Sequence, residues 1–362
     1  MRAGYRPRGF GIVGAGVISA THADAIASLA AARLIAVTDT EPGRAEAFAA
    51  RHDCAAEPDL DALLARDDVD VVSICVPSGL HAEVGIRAAA AGKHLVVEKP
   101  VEVSLPAADR LLGATRAAGV VVTVISQHRF DPGLIELRRL LEDGQLGRLV
   151  LGEASTKWYR SQAYYDSAAW RGTWARDGGS LMNQGIHYLD LLLWAMGPVA
   201  EVTALYSTQS HQIEAEDTAL AVLRFRSGAM GTIVTSTAVF PGFAQRLEIS
   251  GTGGTVVIED GEIIRCDLGG GNAAPGVPDS LTGRGRAPAP AANPAGLGVA
   301  SHAAQIGDFL DAIDAGRPPA VTGEDGRAAL EIVCAVYESA RDDRTVRLPA
   351  VSAERGNGRG KS

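Results

Sequence analysis

No stretch of this 362-residue chain approaches the ~18 uninterrupted apolar residues of a membrane-spanning helix, so no membrane partner is expected. Cysteine is scarce: Cys54, Cys75, Cys266 and Cys334 lie far apart, with no CxxC pair and no histidine at zinc-ligand spacing. That pattern belongs to buried or incidental thiols in a reducing cytoplasm, and no metal site is expected. Basic charge is also short, with 34 Lys+Arg against 43 Asp+Glu and a formal net charge of −9. With no Lys/Arg cluster there is nothing to neutralise a phosphate backbone, which argues against a nucleic-acid partner. Arg2, Arg6 and Arg8 ahead of the apolar run at residues 10–20 imitate a secretory signal. Gly11, Gly14 and Gly16 weaken that run as a helix, and cleavage would destroy the motif it leads into. The chain is therefore expected in the cytoplasm.

Hydrophobic residues make up 46% of the sequence, enough for two domains with real cores. In the first third, β-branched runs at residues 10–13, 34–38, 69–76, 94–98 and 120–125 alternate with helical stretches at 21–31, 44–52, 59–65, 82–91 and 106–118. This is the pattern of an α/β Rossmann domain, a doubly wound parallel sheet, over residues 1–125. Strands of antiparallel character then appear at 199–208, 218–225, 229–238, 246–251 and 255–258, punctuated by turns such as Ser227-Gly228 and Asp260-Gly261. Helices are expected at 302–315 and 324–341, and residues 126–349 as a whole read as an α+β domain with a large, mostly antiparallel sheet. The Gly/Pro/Ala-rich segment 269–298 reads as a long loop and residues 350–362 as a disordered tail.

Gly14-Ala15-Gly16-Val17-Ile18-Ser19 follows the first strand and opens the first helix, where a dinucleotide fingerprint has to sit. Gly14 permits the tight turn, and Gly16 lets backbone N–H groups at a helix N-terminus approach a pyrophosphate. Ser19 stands where a third glycine or alanine is usual, a mild departure because serine is small. Asp39 ends the second strand at the distance where a carboxylate accepts from the adenosine ribose hydroxyls. Its charge repels a 2′-phosphate, which favours NAD, while Arg44 nearby leaves NADP possible.

Three further strings, Cys75-Val76-Pro77-Ser78-Gly79-Leu80-His81, Ala91-Gly92-Lys93-His94 and Glu98-Lys99-Pro100, closely resemble the Gfo/Idh/MocA family of sugar and polyol oxidoreductases. His22 matches a position where that family commonly has histidine. Gly178-Gly179-Ser180-Leu181-Met182-Asn183-Gln184-Gly185-Ile186-His187 resembles the family's glycine-rich entry to the helix bearing its catalytic histidine, and the likeness runs to about Pro349. The resemblance implies an NAD(P)-dependent dehydrogenase acting on carbohydrate CH–OH groups, with Lys99 and His187 as the catalytic pair. It places Val76, Pro77, Ser78, His81, Glu98, Lys99, Gln127, Trp170 and Arg171 with Gly14, Gly16, Val17, Ile18, Asp39 and Arg44 on the cofactor. It also implies a homodimer or homotetramer joined through the second-domain sheet, and puts Arg129 near the substrate.

The residues point to the same site on their own. Asn183, His187 and Asp190 form a polar stripe on an otherwise apolar helix at residues 181–196, and such a stripe needs partners. Lys99 ends a strand and should project from the carboxyl edge of the sheet. Oxidation of an alcohol needs a base and a cation, so His187 is given the proton and Lys99 the developing alkoxide charge. Which of the two formally takes the proton is left open. Asn183 stands where the family often has Asp, and an amide can orient but cannot ionise. Asp190 is expected to pair within the fold.

Residues 157–174 hold Trp158, Trp170 and Trp174 with Tyr159, Tyr164 and Tyr165, an aromatic wall suited to the C–H face of a sugar or cyclitol ring. Arg160 and Arg176 are available for a carboxylate or phosphate. Tyr159, Arg160 and Asn183 join Lys99, Arg129 and His187 as expected substrate contacts. A sugar, cyclitol, nucleotide sugar or aminosugar all remain open. Two rivals share the fold: a cofactor-sensing regulator without turnover, and a glycosidase that uses tightly held NAD.

Overall fold

A computed structural model describes residues 6–269 and 298–349. Most of the predicted 269–298 loop and the predicted tail at 350–362 lie outside the described residues. Six strands, β1 (Arg8–Val13), β2 (Ala32–Thr38), β3 (Ala55–Ala56), β4 (Val71–Ile74), β5 (His94–Val97) and β6 (Val122–Val124), form one sheet in the order β3-β2-β1-β4-β5-β6. Every pairing in it is parallel. Such strands are covered on both faces, and β4 is accordingly buried throughout. Helices α1 (Val17–Ala27), α2 (Arg44–His52), α3 (Leu60–Leu64), α4 (His81–Ala90) and α5 (Leu105–Ala118) make the crossovers. The strand order reverses between β1 and β4, and a crevice opens there at the carboxyl ends of the strands.

The rest builds a second sheet. After α6 (Pro132–Glu142) come β7 (Leu149–Lys157), α7 (Gln162–Asp166), a π-helical turn (Ser180–Gly185) and α8 (Ile186–Met196). Then follow β8 (Val199–Ser207), β9 (Thr218–Phe225), β10 (Met230–Ser236), β11 (Arg246–Gly251), β12 (Gly254–Glu259) and β13 (Glu262–Leu268). With the short β14 (Val346–Arg347) they form an eight-stranded sheet, ordered β13-β12-β11-β7-β10-β9-β8-β14. All its pairings are antiparallel except β7 with β10. The sequence pattern missed β7 because its interior carries Gly152, Glu153, Ala154 and Ser155 rather than branched apolar residues. Those small residues are there for packing: a Cβ on Gly152 would come 2.7 Å from Leu192 and 2.8 Å from Met196, both on α8.

Two C-terminal helices tie the sheets together. α9 (Val299–Ala315) packs on α1, and α10 (Gly323–Asp342) touches α5 and β6 on one side and α8 and β8 on the other. Gln305 of α9 accepts from Ser126 N at 3.0 Å and donates to Val124 O at 2.8 Å, which fixes the end of β6 beside the crevice. Among the described residues no helix is long and apolar enough to cross a membrane.

Candidate active site

The glycine turn sits at the mouth of the crevice. Gly14 has φ +95° and a Cβ there would lie 2.6 Å from Cys75 O, so the position demands glycine. Gly16 is exposed, and its missing Cβ would have no atom within 4 Å, which leaves the N-terminus of α1 open to an anion. Val17 beside it is exposed and Ile18 half-buried. Just past β2, Asp39 accepts from Ala15 N at 2.7 Å and from Glu41 N at 2.8 Å, with Arg44 Nη1 3.7 Å from its Oδ1. Val76, Pro77 and Ser78 form the turn above β4, and Gln127, buried, follows β6. These residues fit a dinucleotide: an open helix terminus, a turn of glycine and alanine and an acceptor at the end of the second strand.

Three expected ligand contacts face inward instead. His81 is 1% exposed and its ring lies between backbone carbonyls, Nδ1 2.8 Å from Pro100 O and Nε2 3.0 Å from Val76 O. It braces two turns of the crevice rather than lining it. Glu98 is 6% exposed, with Oε1 2.8 Å from His22 Nε2 and Oε2 accepting from Lys99 N at 3.1 Å. Arg129, expected at the substrate, grips Asp190 through two hydrogen bonds of 2.7 and 2.6 Å, and Asp325 Oδ1 is 3.5 Å away. Its guanidinium is thus committed to joining α8 to the segment after β6 and to α10.

Lys99 leaves the end of β5 and reaches across to the second sheet's side, where its Nζ donates to Asn183 O at 2.8 Å and Asn183 Oδ1 at 3.1 Å. His187 and Lys99 line one small cavity together with Ser126, Ile186 and Asp190. The sequence predicted a regular helix from residue 181. Its first five positions, 181–185, instead belong to the π turn, and α8 begins one residue before His187. Its entry is held by Glu216, a residue the sequence reading did not single out, which accepts from Ser180 N at 2.5 Å, Leu181 N at 2.9 Å and Tyr337 Oη at 2.8 Å. A Cβ on Gly179 would lie 1.8 Å from Glu216 Oε2, so glycine is required for this cap. An acidic pair, Glu216-Asp217, directly ahead of an apolar strand was the available signal. Asp177, also missed, stands behind Asn183 and accepts from its amide.

Burial and the nearby Lys99 charge push the His187 imidazole well below its usual 6.5, so it is neutral near pH 7. Burial also pulls Lys99 down from its usual 10.5, opposed by Glu98 and Asp177. Beneath Lys99 lies a buried pair. Burial alone would lower His22, but Cys75 and Glu98 outweigh it and hold the imidazole at about 10. For Glu98, burial works upward and His22 overrides it, leaving the carboxyl at about 2. His22 Nδ1 also lies 2.6 Å from Ser73 Oγ, and the His302 ring meets His22 edge-on at 5.7 Å.

The aromatic segment splits in two. Arg160 lies 4.9 Å from the Trp158 ring centre and 5.3 Å from that of Tyr164, while Arg171 lies 4.3 Å from Tyr164 and 4.6 Å from Trp170. Arg171 also donates to the Tyr164 hydroxyl at 2.7 Å, and both guanidiniums lie within electrostatic reach of Lys99. Gln184 Nε2 approaches the Tyr164 hydroxyl at 3.4 Å, tying this cluster to the π turn. Tyr159 instead packs edge-on against Phe240 at 5.1 Å, and Trp174 against Tyr206 and Tyr337. Tyr165 is buried on Thr237 Oγ1 at 2.7 Å, and Arg176 is exposed.

Residues 8–126 match the model of an oxidoreductase family with an NAD-binding Rossmann fold, and residues 134–257 match the GFO/IDH/MocA C-terminal domain. The WlbA dehydrogenase from Bordetella pertussis, solved with NADH and UDP-GlcNAcA, is 33% identical over 96% of this chain and 99% of its own, with a TM-score of 0.85. The chain belongs to the Gfo/Idh/MocA family. It binds NAD(H)-type dinucleotide and is an oxidoreductase of the family's dehydrogenase class. A second WlbA dehydrogenase, from Chromobacterium violaceum, is 32% identical over 96% of this chain and 97% of its own, with a TM-score of 0.85. Inositol 2-dehydrogenase of Rhizobium meliloti strain 1021 is 29% identical over 94% of this chain and 98% of its own length.

Proposed function

We propose that this protein oxidises a secondary ring hydroxyl of a sugar, cyclitol or nucleotide sugar, with NAD held at the switch point of the parallel sheet. The placement of Lys99 and His187 as neighbours, one at the carboxyl end of β5 and the other in the first turn of α8, carries the reading. Gly14, Gly16 and the open terminus of α1 hold the pyrophosphate; Asp39 takes the adenosine ribose and disfavours the 2′-phosphate of NADP. NAD supplies the hydride acceptor. Lys99 Nζ donates to the reacting oxygen and stabilises its negative charge, and the neutral His187 imidazole receives the hydroxyl proton. Trp158 and Tyr164 offer faces to the ring, with Arg160 beside them suited to a carboxylate or phosphate on the substrate, while Trp170 and Arg171 reach the cofactor. NADH absorbance, followed across sugars, cyclitols, nucleotide sugars and uronates, tests this. Substrate-dependent NADH is expected; release of an aglycone without net NADH, or no turnover of any substrate, rejects it.

The two shifted groups set a pH profile. His187 stays neutral to well below pH 6.5, so kcat/KM for oxidation should be flat through neutrality. The alkaline decline should begin below pH 10.5, where Lys99 loses its proton, and should vanish in Lys99→Arg if residual turnover is followed.

The eight-stranded sheet presents Leu205, Leu220, Val222 and Met230 outward on adjacent strands, Val222 being 58% exposed. An apolar sheet face of this kind is covered by a second copy in our reading, giving a homodimer or homotetramer. Leu220→Asp with Val222→Asp should convert the assembly to monomers by light scattering.

A further inference from the structure

Asn183 presents two chemically opposite ends to two charged neighbours. Its Nδ2 donates to Asp177 Oδ1, while its Oδ1 accepts from Lys99 Nζ at 3.1 Å. A half-turn of that amide would set its NH2 group against the ammonium and its oxygen against the carboxylate, both repulsive. Asp177 is 2% exposed and its other oxygen accepts from Gly172 N at 2.8 Å, so it has one oxygen for the loop and one for Asn183. An acceptor-only carboxylate at 177 therefore dictates which end of Asn183 meets Lys99.

We propose that Asp177 is a positioning residue for the reaction: through the Asn183 amide, its carboxylate orients Lys99 Nζ toward the reacting oxygen. This rests on the reading above that Lys99 touches that oxygen. Burial holds the Asp177 carboxyl above its ordinary value, opposed by the Gly172 N–H, by the Lys99 and Arg171 charges and by the Asn183 amide.

The isosteric change Asp177→Asn is the decisive one. The new amide keeps its oxygen on Gly172 N, so its NH2 faces Asn183, whose amide can no longer satisfy both neighbours: it opposes its NH2 either to the new amide or, after a half-turn, to Lys99. Loss of the charge-assisted hydrogen bond from Lys99 should lower kcat about 10- to 100-fold with little change in the KM for NAD. Adding Asn183→Asp puts a carboxylate where it accepts from both neighbours. The double variant should regain at least about tenfold in kcat over Asp177→Asn, which a role in folding alone would not produce. Wild-type kcat in Asp177→Asn, or a folded double variant no faster than the single one, overturns the proposal. Should Asp177→Asn not fold, Asn183→Leu leaves the Asp177–Gly172 bond intact and cuts the link; the same loss is expected there, and wild-type kcat overturns the idea. Lys99→Ala separates the two readings. If it is inactive while Asp177→Asn is fully active, only this proposal fails; if both are active, the reading of Lys99 fails with it.

Discussion

Lys99→Ala is expected to lower kcat by about 10²- to 10⁴-fold, the usual span for a group that acts on the reacting proton and its oxygen. NAD affinity should change little, because the groups proposed to hold the pyrophosphate and ribose are the glycine turn, the terminus of α1 and Asp39, whereas the Lys99 ammonium is bonded to Asn183. Stopped-flow turnover paired with fluorescence titration of NADH measures both quantities. Wild-type turnover would remove Lys99 from the chemistry. The backbone should tolerate the change, since the turn below is held by His81 and Glu98 and not by the lysine side chain.

The largest stability effect should come from His22→Leu. Replacing a buried ion pair by apolar residues can be neutral, but deleting one partner leaves a charge with nothing to balance it, at a cost of about 3–5 kcal/mol. Glu98, 6% exposed and 2.8 Å from His22, would be that charge. The pH dependence follows from the two shifts. His22 is raised from 6.5 to about 10, so its contribution is complete below pH 6.5 and disappears as pH climbs toward 10. Glu98 is lowered from 4.5 to about 2, so its contribution is complete above pH 4.5 and disappears as pH falls toward 2. Urea unfolding of both proteins should therefore show the widest gap between about pH 4.5 and 6.5, narrowing on either side. An equal gap at pH 5.5 and pH 9.5 would show that the pair does not carry the difference.

Much of this molecule was readable before any coordinates. The Rossmann half announced itself through alternation of branched runs and alanine-rich helices, and α2 lies where the pattern put it, at Arg44–His52. The strands β9 and β11 likewise keep their predicted limits, because their inward positions are apolar and their outward ones polar or exposed. Helix α1 starts four residues earlier than expected, since Gly16 itself is the N-cap and the motif runs straight into the helix. The pattern overlooked α6, β7 and β13, where neighbours supply the packing that composition does not advertise.

What the sequence determined by itself is the inventory: a glycine turn, an acid at the end of a strand, a lysine before a proline, a histidine on an apolar helix, each marked by local spacing. What only tertiary structure decided is which of them meet. Arg129 turned from substrate to Asp190, His81 and Glu98 turned beneath the crevice, and Asp177 arrived behind Asn183. Local periodicity places a residue on a face of its own element, but a buried charge is directed by whichever opposite charge or backbone group the rest of the fold brings within hydrogen-bond reach.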